Sequence, residues 1–447
     1  MRLLLILIIL GSIGIAITTL TTREVREDAF MCEGCNVILI SIDTFGAKHS
    51  SVYSPALSTT PFMQELATRS IVFENAFSQA PWTLPSHAAM LTGQYPWDIG
   101  VWESTDRLPD RVTTIAESLK DHGYTTTAFS GGAFVQPYHG FDQGFDAFHG
   151  SIGLYDWNDV PRLFDDVETW LTDTPSEQPF FLFIRPFGLH DPYGAPGASG
   201  TIEIRDIVTE NTREGGPSDE ASERFMEAYR AEVRDVDTAL QHLFETLTER
   251  GLIENTIVII TSDHGEEFGE HGTIGFHSVA LYRESIWVPL MVYLPSDVSR
   301  RVTSTVEIRS IPGTILDLLS LPDESGFDAP SLLPLMTGTD MSSHLVQART
   351  HQERNHLLSI IEQHYTNALT PIEPPLPLEE RTKAYAGGYA ESAILGSWQA
   401  IRTLDDFVEL YDTRKDMNET QNLIERVRFL PYEDRASVTE VLDTIKR

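Results

Sequence analysis

The chain has 447 residues, 41% of them hydrophobic, enough apolar material for a large buried core, which excludes a disordered chain. Its 66 acidic residues outweigh 32 basic ones, a formal charge of -34. A surface of that sign repels phosphate backbones, so no nucleic-acid partner is expected, and an anionic substrate would need a locally positive site such as a bound metal ion.

Behind Met1 and Arg2, residues Leu3 to Leu20 form an apolar or weakly polar run without an acid or a base. At about 1.5 Å per residue it reaches roughly 27 Å, near the thickness of a hydrocarbon core. Residues 1–22 are read as a signal peptide or an N-terminal membrane anchor, and with no clean Ala-x-Ala cleavage site the anchor is preferred. Either reading puts the body of the chain outside the cytoplasm, with a membrane contact if the segment stays uncleaved. The only two cysteines, Cys32 and Cys35, follow in a stalk at 23–35, where a local disulfide is the simplest use for them in an exported protein.

Asn36 to Ile42 is a continuous apolar, β-branched run ending in Asp43-Thr44, the pattern of a strand buried on both faces of a parallel sheet. Ligands bind at the carboxyl ends of such strands, which is where Asp43 falls. Thr60-Pro61 opens a short helix through Ala67, and Ile71 to Ala76 reads as a strand leading to Ala80-Pro81-Trp82-Thr83-Leu84-Pro85-Ser86-His87-Ala88. Pro81 and Pro85 restrict this turn, and the following segment to Gly93 has a helical apolar face. Thr83 therefore sits just at a helix start, where the dipole favours an oxyanion or a phosphate; the commoner use of Thr83 and Ser86 there is capping.

The alternation continues with a helix at Ile115–Lys120, a strand at Thr125–Phe129 and another at Phe180–Ile184, which runs into Arg185 and then His190-Asp191-Pro192-Tyr193. Residues 199–222 look like a polar, aperiodic insertion, and Ala221–Arg250 is a long amphipathic helix whose acids read as a solvated face. Thr256 to Thr261 is the most strand-like run and ends in Ser262-Asp263-His264-Gly265. Asp263, His264 and Asp43 are hard and borderline metal ligands at two strand ends, although turn and capping roles are commoner for an isolated Asp-His pair. Ile286–Tyr293 is a further buried strand, followed by a helix around Ile311–Leu319. Past about residue 335 the pattern changes: Pro371–Pro377 is a proline-rich loop, and Ser397–Thr403 and Phe407–Tyr411 suggest a small antiparallel subdomain. The whole reads as an α/β fold, a large and mostly parallel mixed sheet between helices.

Taken together, strand-Asp43, Pro81-Trp82-Thr83-Leu84-Pro85-Ser86-His87 with Leu91-Thr92-Gly93, His190-Asp191-Pro192-Tyr193, Thr261-Ser262-Asp263-His264-Gly265-Glu266, Gly269-Glu270-His271-Gly272 and His277 resemble the sulfatase family of the alkaline phosphatase superfamily. The likeness runs from about Asn36 to Leu321, with a fainter echo from Trp398 to Leu423. It implies a catalytic domain at 36–335, a C-terminal subdomain at 336–447 and one divalent cation (Ca, Zn, Mn or Mg) at the nucleophile. Asp43, Asp263 and His264 match metal ligands and Thr83 the nucleophile, itself a ligand. His190 and His277 match substrate-oxygen binders or leaving-group acids, and His87 stands where the family usually has Arg.

Two departures bear on chemistry. Sulfatases carry Cys or Ser at the Thr83 position for conversion to formylglycine, so that conversion is not expected, and relatives with Thr are similar to phosphotransferases and phosphodiesterases. The second acid of the usual Asp-Asp pair is Thr44, and the usual first His of the histidine stretch is Arg185. The resulting expectation is a metal-dependent hydrolase or transferase of sulfuric or phosphoric esters. Its substrate would be a small molecule or a glycan or lipid ester, with phosphate esters or phosphonates favoured, and the oxyanion would be met by the metal, His277, His87 and Arg185. The alternatives are a sulfatase working without formylglycine and a membrane-tethered binding protein that has lost catalysis.

Overall fold

The computed structural model describes residues 29–150, 160–173, 178–191, 193–194, 202, 204–211, 217–278, 280–351, 389–403, 407–431 and 434–445. The apolar run at Leu3–Leu20 and the loop at Pro371–Pro377 lie outside the described residues. Among the described residues no helix is long and apolar enough to cross a membrane.

The strands that read as unbroken apolar runs are buried along their whole length: β1 (Asn36–Ile42), β5 (Phe180–Arg185), β6 (Thr256–Ser262) and β9 (Trp287–Tyr293). With β2 (Ser70–Phe77), β3 (Thr125–Ser130), β4 (Ala147–Gly150) and β10 (Arg300–Glu307) they form one sheet of order β10-β2-β9-β6-β1-β5-β3-β4. Only β9 runs against the rest, so the sheet is mixed and mostly parallel as expected. Alternate residues serve opposite faces. Val37, Leu39, Ile257 and Ile259 pack with the helices α2 (Thr83–Thr92), α3 (Ile115–Asp121) and α7 (Ile311–Leu318). Ile38, Ile40, Val258 and Ile260 face α1 (Pro61–Leu66), α4 (Val160–Asp173) and α6 (Asp219–Glu249). Each such side chain withdrawn from water contributes about 1.5–3 kcal/mol; helices on both faces explain why the strands show no polar alternation.

Three local readings change. The region expected to be aperiodic contains a short helix, α5 (Ile204–Asn211), whose Ile207 is buried against Gly275, and α6 starts at Asp219 on a Ser218 cap rather than at Ala221. Thr60 does not cap α1; its first amides, Phe62 and Met63, donate to Asp237 of α6, both at 2.9 Å, so one acid of the expected solvated face is buried. Finally, the Trp82 backbone is extended and Thr83 is the first helical residue of α2, without a side-chain cap.

The second sheet is an antiparallel meander, β11 (Val346–His351), β12 (Tyr389–Leu395), β13 (Trp398–Thr403) and β14 (Val408–Asp412), covered by α8 (Arg435–Thr444). Val346, Ala348, Ala390 and Ile394 share a core with Phe77, Ile286 and Trp287, which joins this sheet to the large one. Backbone bonds from Arg349 N to Gln79 O (3.0 Å) and from Ser278 N to Pro81 O (2.8 Å), with Thr350 Oγ1 donating to Ser278 O, clamp the turn before Thr83. Cys32 and Cys35 form a disulfide, with Cys32 N donating to Leu318 O at 2.7 Å and Tyr124 OH to Cys35 O at 3.1 Å.

Candidate active site

The parallel register of β1 and β6 places Ile42 beside Ser262, so the next residues, Asp43 and Asp263, emerge side by side at the carboxyl end of the sheet. Asp43, Asp263 and His264 are all fully enclosed. The chain turns sharply after Asp43: Thr44 has φ 52°, a left-handed conformation that costs a β-branched residue strain. That turn aims Thr44 N at Asp263 Oδ1 (3.2 Å), while Thr44 O accepts from Tyr229 OH (2.8 Å). Where the family has a second acid, this chain thus offers a backbone amide to Asp263. His264 N also donates to Asp263 Oδ1 (2.9 Å), and Gly265 has no room for a side chain, since a Cβ would lie 2.0 Å from Glu284 O.

Two carboxylate oxygens accept no hydrogen bond, Asp43 Oδ1 and Asp263 Oδ2. One ligand atom from each of Asp43, Asp263 and His264 lies within 4.8 Å of the others. Orphaned buried acceptors are costly, and two carboxylates with an imidazole suit a divalent cation, so the residues present fit a metal ion. His264 is prepared for that role: Nδ1 donates to Gly265 O at 2.9 Å, so Nε2 carries the lone pair and faces Thr83 Oγ1. Burial takes its pKa down to about 3, so the ring is neutral. Burial works against charge on Asp263 as well, but His264, His87, Arg185 and the His264 amide outweigh it and keep the carboxyl ionised.

Thr83 Oγ1 lies 3.3 Å from His264 Nε2, at the start of a ten-residue helix that is buried throughout. Ser86, the other presumed cap, donates to Asp263 O at 2.7 Å and so ties α2 to β6. One turn on from Thr83, His87 Nδ1 donates to Thr83 O (2.9 Å) and is 3.4 Å from Asp263 Oδ2, while Nε2 accepts from Ser41 Oγ (3.0 Å). Fully enclosed against Phe141 and Phe183, with burial lowering its pKa, His87 braces the Thr83 turn. Arg185, equally buried, ends β5, pairs with Asp43 Oδ2, donates to Gly132 O at 2.6 Å and lies over the Phe187 ring. Burial lowers its pKa only to about 10, which leaves it positive at neutral pH.

The His277 ring lies 4.4 Å from that of His264, tilted by 32°, and meets His190 edge-on at 5.0 Å. His190 lies flat on Phe187 and pairs with Asp191 at 2.9 Å; burial disfavours its charge, but Asp191 prevails and raises its pKa. All eight residues expected at the site therefore converge, although His87 and Arg185 are engaged by protein partners. The sequence reading gives no role at the site to Glu266, Tyr193, Ser41 or Tyr229, although Glu266 and Tyr193 both stand within the motifs that carry the resemblance.

A doubly flanked, mostly parallel sheet with these groups at its carboxyl edge defines an ester hydrolase of the alkaline phosphatase superfamily. Residues 35–321 match the sulfatase family model, and the chain belongs to that family. Among relatives, arylsulfatase K of Rattus norvegicus is 22% identical over 482 residues, covering 94% of this chain and 80% of that protein. The ulvan-active sulfatase of Formosa agariphila is 26% identical over 335 residues, 68% of this chain and 65% of that one. The phosphonate monoester hydrolase of Agrobacterium radiobacter superposes with a TM-score of 0.69 at 18% identity, covering 92% and 95% of the two chains. A protein solved with its substrate D-glucosamine-2-N,6-O-disulfate superposes at 0.68 and 17% identity, covering 93% and 97%.

Proposed function

We propose that the protein is a metal-dependent hydrolase or transferase of phosphoric and phosphonic esters, with Thr83 as its nucleophile and Asp43, Asp263, His264 and Thr83 as metal ligands. The observation that carries this is the Thr83 hydroxyl, 3.3 Å from the neutral His264 nitrogen and beside two carboxylate oxygens without partners. A divalent cation bound there would lower the proton affinity of the Thr83 hydroxyl and neutralise charge on the ester. The chain's own residues do the rest. Thr83 Oγ1 attacks in line, with its helix N-terminus and Arg185 adding positive potential, while His87 holds the turn. His277 or His190 protonates the departing oxygen, and water or an acceptor alcohol then releases the product from Thr83. Threonine cannot become formylglycine, which argues for phosphorus rather than sulfur, in keeping with the phosphonate monoester hydrolase among the structural neighbours.

A second reading, hydrolysis of sulfate esters on small molecules or glycans without formylglycine, is favoured by the names of the sequence relatives. In both readings residues 36–335 carry the chemistry, 336–447 form the C-terminal subdomain, and the Leu3–Leu20 run exports or anchors the chain. The test is purified protein with Mn²⁺, Zn²⁺ or Ca²⁺ on aryl phosphonates, phosphodiesters, phosphate monoesters and sulfates, with mass spectrometry of the Thr83 peptide. Turnover of phosphorus esters with a Thr83 adduct supports the first reading, and faster sulfate turnover the second. A fully active Thr83→Ala protein refutes both, and failure to bind any metal returns the chain to a binding role.

A further inference from the structure

We propose that Glu266 is a positioning residue for the leaving-group acid, holding the His277 ring through its Nδ1–H in the pose in which Nε2 serves the reacting ester. The inference rests on the reading of Thr83 as nucleophile and His277 as acid. Glu266 is fully enclosed, and both of its oxygens reach His277 Nδ1, at 3.2 and 3.3 Å. A carboxylate only accepts, so Nδ1 carries the proton between them, and in the imidazolium, the acid form of the ring, the second proton sits on Nε2 and is the one passed to the leaving oxygen. Tyr193, itself fully buried, donates its hydroxyl to Glu266 Oε2 at 3.1 Å and so holds the carboxylate in place.

The backbone explains how two residues eleven positions apart meet. A small antiparallel ribbon, β7 (Glu267–Phe268) with β8 (Ile274–Phe276), pairs Glu267 with Phe276. The residues just outside that pair, Glu266 and His277, therefore stand opposite each other, where facing side chains lie about 5 Å apart at Cβ. The segment that supplies Asp263 and His264 thus continues directly into the group that orients the acid. The ribbon ties the spacing of metal ligands and acid to a single hairpin, and the His277 ring accordingly lies against that of His264.

As the Thr83 oxygen–phosphorus bond forms, its proton passes to water. The bond to the leaving oxygen breaks with its electron pair, and that oxygen takes the His277 Nε2 proton. Attack of water on the Thr83 ester then returns a proton to Nε2, and the freed Thr83 oxygen recovers its own.

The experiment uses full-length protein loaded with Mn²⁺ and methylphosphonate monoesters of 4-nitrophenol, phenol and benzyl alcohol. His277→Gln should leave the nitrophenyl ester almost unaffected and slow the benzyl ester about 10²–10⁴-fold. Glu266→Gln should show the same slope against leaving group with a loss of about 10–100-fold, partly restored in Glu266→Asp, at unchanged metal content. A Glu266→Gln protein slowed equally on all three esters, or on none, overturns the proposal. A His277→Gln protein indifferent to leaving group removes the acid itself and leaves the underlying reading of Thr83 standing. Long-range ¹⁵N–¹H spectra of the wild-type histidines provide a readout independent of turnover. A His277 ring protonated at Nδ1 supports the contact, and one protonated at Nε2 alone overturns it, even for a protein inactive on every ester.

Discussion

Replacing Arg185 with Met should cost the metal-free protein far more stability than the metal-loaded one. The guanidinium is completely enclosed, pairs with Asp43, donates to Gly132 O and is the fixed positive charge beside Asp43 and Asp263. Met keeps an apolar stem of similar length but leaves Asp43 uncompensated, and breaking a buried pair in this way costs about 3–5 kcal/mol. At about 2.1 cal/mol/K of unfolding entropy per residue, a domain of some 300 residues loses about 1.6 °C per kcal/mol, so Tm in EDTA should fall by roughly 5–8 °C. A divalent ion at a hundred times its Kd returns about 2.7 kcal/mol to any variant that binds it. In Arg185→Met it should return more, because both Asp43 oxygens are then available to it. Differential scanning calorimetry in EDTA and in excess Mn²⁺, with calorimetric titration of the metal, reads both quantities. Equal Tm losses with and without metal, or weaker metal binding by the variant, would refute the view of Arg185 as a built-in countercharge.

Thr83→Ala should abolish turnover by about 10³-fold or more while retaining most metal affinity, whereas Asp263→Asn should lose the metal itself, as inductively coupled plasma analysis of dialysed protein would reveal. Thr44→Asp should restore a carboxylate ligand and tilt metal preference toward Ca²⁺, measured by competition with Mn²⁺; an unchanged order would mean that the left-handed turn points this side chain away from the ion. Asp237 gives a pH test. Burial pushes its pKa up to about 6, only partly offset by the α1 amides, so the folded state favours the neutral acid. The cost of ionising it builds up between the ordinary value near 4 and pH 6 and reaches about 3 kcal/mol above that. Urea titrations should therefore show wild type losing its advantage over Asp237→Asn as pH rises from 4 to 7, and parallel stability curves would contradict the assignment.

Asp43 and Asp263-His264 are legible in the sequence because each follows an apolar, β-branched run, and such runs have one reading, a strand buried on both faces. Thr83 is legible through its prolines and the helix behind it. What periodicity does not carry is adjacency. That β1 lies between β5 and β6, which puts Arg185 against Asp43, is a property of strand order and register rather than of any local pattern. For the same reason Asp237 passes as one more acid on an amphipathic helix, although the helix it caps lies some 175 positions away. Glu266 is hidden by a ribbon too short to register as strands. His87 and Arg185 look like free polar groups in a motif, and only their buried partners reveal them as braces.

The clamp on the Thr83 turn also orders events in time. Its bonds come from Ser278 and from Arg349 and Thr350 on β11, and β11 is held in place by β12, which begins at Tyr389. A chain emerging from the ribosome can assemble β1, β5 and β6, and with them both carboxylates, long before the strand that braces the Thr83 turn has a partner. Bracing of the Thr83 turn is therefore a late event in the growing polypeptide, completed only when the segment from Tyr389 onward joins the fold, so damage to that distal sheet should loosen the turn without touching any residue of the candidate site.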